Sequence, residues 1–142
     1  MAANNSNQDE LQKLSVEMRY LEQTAQMLQQ RIGMLNTALA DLTYANATLE
    51  GIEQEKENTE MLVPIGGSSY VQVKLVNPDK VIVGLGADVS IEKTMPDAKS
   101  TLKERLDELE KALQAAQTQF NQVIERINST KKTIDTIITN TK

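Results

Sequence analysis

The feature that most constrains this chain is a run of apolar residues whose spacing alternates between three and four. Take Leu11 as position a of a heptad. Position a then holds Leu11, Met18, Ala25, Ile32, Leu39 and Asn46, and position d holds Leu14, Leu21, Leu28, Leu35, Leu42 and Leu49. Eleven of these twelve seam positions are apolar. A 3.5-residue period kept this long specifies a helix that supercoils left-handedly on a partner. The stripe covers two residues in seven, which suits one or two partner helices and is too narrow to floor a globular core. The spacing predicts a helix over residues 8–59, after a disordered residues 1–7. The seam stops where Glu53 and Lys56 take the a and d places, and Gly51 loosens the pattern nearby.

A second seam of matching length follows Pro96. Pro96 and Asp97 suit a helix start, where a missing N–H costs nothing and an acid meets the helix dipole. Position d holds Leu102, Leu109, Ala116, Val123, Thr130 and Ile137, and position a holds Leu106, Leu113, Phe120, Ile127, Ile134 and Thr141. Ten of these twelve are apolar. The pattern predicts a helix over residues 96–142, and each seam is roughly 60 Å long at 1.5 Å per residue. Two equal seams joined by a short insert are most simply an antiparallel hairpin, with Leu11 near Thr141 and Leu49 near Leu102. The charges fit: residues 1–60 carry 4 basic and 10 acidic side chains, and residues 97–142 carry 8 and 7. An acidic helix pairs better with a near-neutral one than with its own copy. Parallel self-association of each helix is the alternative arrangement.

Composition excludes whole classes of function. With no His and no Cys, the chain has no Ser-His-Asp or Cys-His nucleophilic site, no Cys/His zinc site and no disulfide. Aromatics are 3% of residues, too few to anchor an ordinary globular core. The net charge of -5 argues against nucleic acid as the main partner. No apolar stretch approaches membrane-span length, and the first seven residues do not resemble a secretory signal. The expectation is a cytoplasmic protein with no catalysis, no metal and no cofactor. Gly84-Leu85-Gly86 lacks the third glycine of a dinucleotide fingerprint, and Gly66-Gly67 lacks the lysine of a phosphate-binding loop. Glu53, Glu55 and Glu57 read as a solvated face.

The middle segment, residues 60–95, changes period from 3.5 to 2. Met61-Leu62-Val63-Pro64-Ile65 is a short apolar run, and Gly66-Gly67-Ser68 is a turn signal. Residues 69–76 place Val71, Val73 and Leu75 on one face and Tyr70, Gln72 and Lys74 on the other. After Asn77-Pro78-Asp79, residues 80–85 place Val81, Val83 and Leu85 on one face. Gly86-Ala87-Asp88 turns again before Val89 and Ile91 alternate with polar neighbours. The pattern predicts four strands in two linked β-hairpins. With no covering layer, that apolar face would stay wet and the edges open, so a sheet or barrel shared between subunits is expected. The fold class is therefore mostly α with a small β insert: a long antiparallel two-helix coiled coil joined by two hairpins that build an oligomeric β-barrel platform. Val71, Val73, Leu75, Val81, Val83, Leu85, Val89 and Ile91 are the candidate oligomerisation residues.

The order helix, β insert, helix, with Leu62-Val63-Pro64-Ile65-Gly66-Gly67 and Val83-Gly84-Leu85-Gly86-Ala87-Asp88 inside the insert, resembles archaeal-type prefoldin across essentially the whole chain. Two hairpins make it similar to the α class, because the β class carries one. The resemblance implies a hexamer of two α and four β subunits whose hairpins form a double β-barrel platform bearing six coiled coils. It also implies binding of unfolded or nascent polypeptides between the coiled-coil tips, and delivery to a group II chaperonin without ATP. No nucleic acid or membrane partner is implied. The alternative function is a structural tether or spacer that oligomerises through its β insert.

The tips of such a hairpin are the ends far from the insert. A binding surface there needs apolar residues off the seam, or a seam opened by fraying. Val16 falls at the outward position f, and Ile138 at e beside the seam. The candidate client-binding residues are Leu11, Leu14, Val16, Ile134, Ile137 and Ile138; the bland reading of Leu11, Leu14, Ile134 and Ile137 is ordinary seam packing. Met27 and Met34 at position c could offer adaptable client contact, but packing on the coil's flank is the expectation, and Asn46 is a polar seam residue that fixes register. Gly33 at b costs about 1 kcal/mol of helix propensity, with no evident reason in the sequence.

Overall fold

A computed structural model describes residues 2–140. Helix α1 (Ala2–Glu53) is followed by strands β1 (Glu60–Gly66), β2 (Ser69–Lys74), β3 (Lys80–Gly86) and β4 (Val89–Thr94), then helix α2 (Met95–Asn140). The residues divide into two compact units, the first built from residues 1–37 and 110–142 and the second from residues 38–109. Thr141 lies outside the described residues, so its seam position and its pairing with Leu11 are not described.

In the first unit the two helices run antiparallel. Arg126 donates from Nε and Nη2 to the same Oε1 of Glu17, at 2.9 and 2.8 Å. Further along, Leu21 and Leu28 of α1 line one groove with Val123 and Arg126 of α2. Ala25, Leu28, Ala116 and Ile127 are buried, as is Thr130 at a d position. Every described seam position of both helices is buried or half-buried, Asn46 included, whereas the b and f positions flanked by the seam residues are exposed. That is the burial expected when two narrow apolar stripes close on each other.

The second unit contains the helix ends next to the strands, and both hairpins. Its core is Leu49, Val83, Met95 and Ala98, with Ile52, Val81 and Leu102 packed around it. Leu102 therefore packs on the cluster that holds Leu49, in keeping with the expected register. Lys99 Nζ sits 2.6 Å from Glu53 Oε2, again across antiparallel helices. Hydrogen bonding to Glu53 is the main influence that holds the Lys99 ammonium above its ordinary pKa of 10.5.

Helix α1 ends at Glu53, six residues short of the expected end at 59. Asn58 takes a left-handed conformation, with φ 69°. Its N–H then bonds the carbonyl of Leu75 at 2.6 Å, and the Leu75 N–H bonds the carbonyl of Thr59 at 2.9 Å. Residues 58 and 59 are thus drawn into strand-like pairing and lost to the helix. At the other end, residues 2–7 are helical and not disordered. No Pro or Gly interrupts them, and adding residues to a formed helix needs no new nucleus. Helix α2 begins one residue before Pro96, where the Thr94 hydroxyl accepts from the Asp97 N–H at 3.4 Å as an N-cap.

β1 pairs with β2, and β3 with β4, in two separate two-stranded antiparallel sheets. The hairpins repeat each other at an offset of 20 residues. Glu60 pairs with Lys74 as Lys80 pairs with Thr94, and Val63 pairs with Val71 as Val83 pairs with Ile91. Each ladder shifts register once, between Pro64 and Gly66 and between Gly84 and Gly86, which leaves Ile65 and Leu85 as bulged residues. The backbone repeats too: φ is 102° at both Gly66 and Gly86, followed by 56° and 58° at Gly67 and Ser68, and by 51° and 61° at Ala87 and Asp88. Two consecutive positive φ angles in a two-residue loop make the type I′ turn that matches strand twist.

Candidate functional site

The tip candidates and the platform candidates fall in different units. Four of the tip residues, Leu11, Leu14, Ile134 and Ile137, are half-buried seam positions of the first unit. The other two stand in solvent, with Val16 64% and Ile138 47% exposed. Of the six candidates, the two off-seam side chains are therefore the ones that stand in solvent. No helix among the described residues is long and apolar enough to cross a membrane, and no cluster of acidic side chains there is arranged to hold a metal ion.

The strand candidates split in a way their alternation does not reveal. Val83 is only 4% exposed, because it lies on Leu49, Met95 and Ala98 of its own chain. Val81 is half-buried against the same cluster. Val83 thus belongs to the internal core of its own chain, and Val81 borders that core. Arg105 of α2 fastens the same strand, donating from Nη2 to the carbonyl of Gly84 at 2.6 Å. Val73 and Leu75 are half-buried, whereas Val71, Leu85, Val89 and Ile91 are exposed. In the first hairpin, Val63 holds the place equivalent to Val83 and is 40% exposed.

Sequence reasoning missed the apolar residues on the opposite face. Leu62 and Tyr70 of the first hairpin and Ile82 of the second are 66, 61 and 76% exposed. The signal was present: residues 61–65 are a continuous apolar run, and an unbroken run marks a strand meant to be covered on both faces. Charge differs between the repeats. Gln72 Nε2 reaches Glu60 Oε2 at 3.3 Å in the first hairpin, and Lys80 Nζ approaches Glu92 Oε1 at 3.9 Å in the second. Both two-stranded sheets thus keep open edges and carry exposed apolar residues on both faces.

Two antiparallel helices that close on a heptad seam, joined by a pair of β-hairpins with open edges, define a two-helix coiled-coil subunit. A profile of the prefoldin subunit family matches residues 21–140, and the chain belongs to the prefoldin family. It is 35% identical to prefoldin subunit alpha of Pyrococcus horikoshii over 128 residues, covering 89% of this chain and 84% of that protein. Against prefoldin subunit alpha of Methanosarcina acetivorans it is 31% identical over 130 residues, covering 89% of each. The fold is also that of filamentous PFD from Methanocaldococcus jannaschii, seen by cryo-electron microscopy: the TM-score is 0.66 at 24% identity, over 78% of this chain and 92% of that one.

Proposed function

We propose that the chain is the α-class subunit of an ATP-independent chaperone, which holds unfolded polypeptides at the terminal ends of its coiled coil and delivers them to a group II chaperonin. Two copies would join four β-class subunits through their hairpins, in the cytoplasm. The observation that carries this reading is the contrast in exposure along one chain. The seam is closed throughout the described helices, while the hairpins hold large apolar side chains in the open on both faces. Such surface calls for partner subunits. Residues Val71, Leu85, Val89 and Ile91 would lie in that platform, with Val73 and Leu75 at its margin.

The client surface would centre on Val16 and Ile138, with Leu11, Leu14, Ile134 and Ile137 contributing when the terminal turns fray. Each end offers little area, so one coil binds weakly and several coils on one client bind well. The test is aggregation of a chemically unfolded protein, followed by light scattering without ATP, in the presence of the chain assembled with β-class subunits. The assembled complex suppresses scattering at near-stoichiometric amounts, and the Val16→Ser/Ile138→Ser variant is weaker at unchanged helicity. A structural spacer leaves scattering unchanged, and that result would overturn the reading.

A further inference from the structure

Helix α1 carries a second, unpaired heptad stripe. In the first unit, Val16, Tyr20, Met27 and Met34 are the exposed large apolar residues of this helix, from 64 to 69% exposed. All four fall at positions c and f of the seam register, at spacings of four, seven and seven. The remaining c and f places between Val16 and Thr37 are Gln23, Gln30 and Thr37 itself. This row therefore runs about 32 Å without a charge. Outer positions of a solvated coiled coil normally hold Lys and Glu. The partner helix shows that ordinary pattern: its c and f rows in the same unit include Lys111, Glu125 and Lys132. The methionines were expected to pack on the coil's flank, but they do not; both stand in solvent.

Two further observations border the stripe. Met27 lines an open groove of about 470 Å³ together with Leu21 and Leu28 of α1 and Val123 of α2, so apolar surface continues from the stripe toward the seam. Gly33 lies in the row beside the stripe, and a Cβ there would meet nothing within 4 Å. Among the described residues, no neighbour crowds that position. A bare backbone at this point lets another chain approach the helix closely.

We infer that this face of α1, from Tyr20 to Thr37, binds an amphipathic helical segment of a non-native polypeptide, as a side-wall site that continues inward from the terminal surface at Val16. The inference rests on the chaperone reading above and specifies the ligand. Spacing selects a helix: side chains recurring at four and seven residues on α1 mesh with a ligand that repeats at three and four, whereas one face of an extended chain repeats every second residue. Methionine and glutamine select broadly, because thioethers repack around different side chains and neutral amides repel neither sign of charge.

The probe is a synthetic 21-residue peptide with leucine at alternating three- and four-residue spacing, fluorescently labelled and titrated with the full chain. The Tyr20→Glu/Met27→Glu/Met34→Glu variant weakens binding by about ten-fold or more. A charge-matched control on α2, Gln114→Glu/Thr118→Glu/Ser129→Glu, binds as the wild type does. Circular dichroism of both variants matches the wild type, since every substituted residue is exposed. A peptide of equal composition with leucine at every second position binds the wild type at least about ten-fold more weakly. Equal binding by the α1 variant, or by the two peptides, overturns the inference. So does a wild-type chain that self-associates through the stripe, seen as an oligomer that the α1 variant abolishes and the peptide does not displace. Failure to suppress aggregation refutes the chaperone reading instead, and the peptide titration does not depend on that assay.

Discussion

Replacing Val83 with alanine tests whether the second hairpin is held by its own chain. The substitution removes two methyl groups from a side chain that is 4% exposed and packed on Leu49, Met95 and Ala98. At about 0.8 kcal/mol for each buried carbon, the transfer loss is about 1.6 kcal/mol. Incomplete collapse of the cavity brings the cost to about 2 kcal/mol. Val63 occupies the equivalent place in the first hairpin but is 40% exposed, so Val63→Ala costs less than about 1 kcal/mol in the isolated chain. Amide hydrogen exchange reads the difference directly, because it measures local opening. Protection across β3 and β4 falls about thirty-fold in Val83→Ala, and protection across β1 and β2 falls less than about five-fold in Val63→Ala. Equal losses in the two hairpins would refute the claim that Val83, unlike Val63, is held by the helix junction.

Three other perturbations follow from the same contacts. Leu28→Ala, at a buried seam position, destabilises the coil by about 2–4 kcal/mol in urea unfolding, while Met27→Ala next to it stays within about 0.5 kcal/mol. Ala87→Gly stabilises the second hairpin by about 0.5–1 kcal/mol, read as slower exchange of its amides, because φ at Ala87 is 51° and glycine adopts that angle without a Cβ clash. The Lys99–Glu53 pair gives a pH signature whose sign is fixed: the folded pKa lies above 10.5, so the contribution of the pair is intact below pH 10.5 and is lost as the pH rises through the raised value. NMR titration of the Lys99 side chain places its midpoint above 10.5, and Glu53→Gln moves it down.

The coil was legible because a heptad seam is written in side-chain type alone, and each described seam residue is shielded as its letter requires. The hairpins were legible because Gly66-Gly67-Ser68 and Gly86-Ala87-Asp88 punctuate runs of period 2. What escaped depends on contacts between segments distant in the sequence. The early stop of α1 follows from residues 58 and 59 pairing with Leu75, a partner no local pattern names. The burial of Val83 follows from the arrival of Met95 and Ala98 beneath it, and nothing distinguishes Val83 from Val63 by alternation. The 20-residue repeat is carried by backbone angles and register more than by shared residues. For the candidate site, Val16 and Ile138 were separable from their seam neighbours by heptad position. The outer stripe was only partly legible, because Met27 and Met34 beside a seam read either as client contact or as packing, and their exposure decides against packing.

The central claim is that the exposed hairpins build a mixed oligomer, and native mass spectrometry of this chain with a β-class prefoldin subunit tests it most directly. The account predicts a six-chain species containing two copies of this chain, in line with about thirty per cent identity to alpha subunits over most of its length. A chain that stays monomeric or forms only its own dimer in the presence of that partner would contradict it.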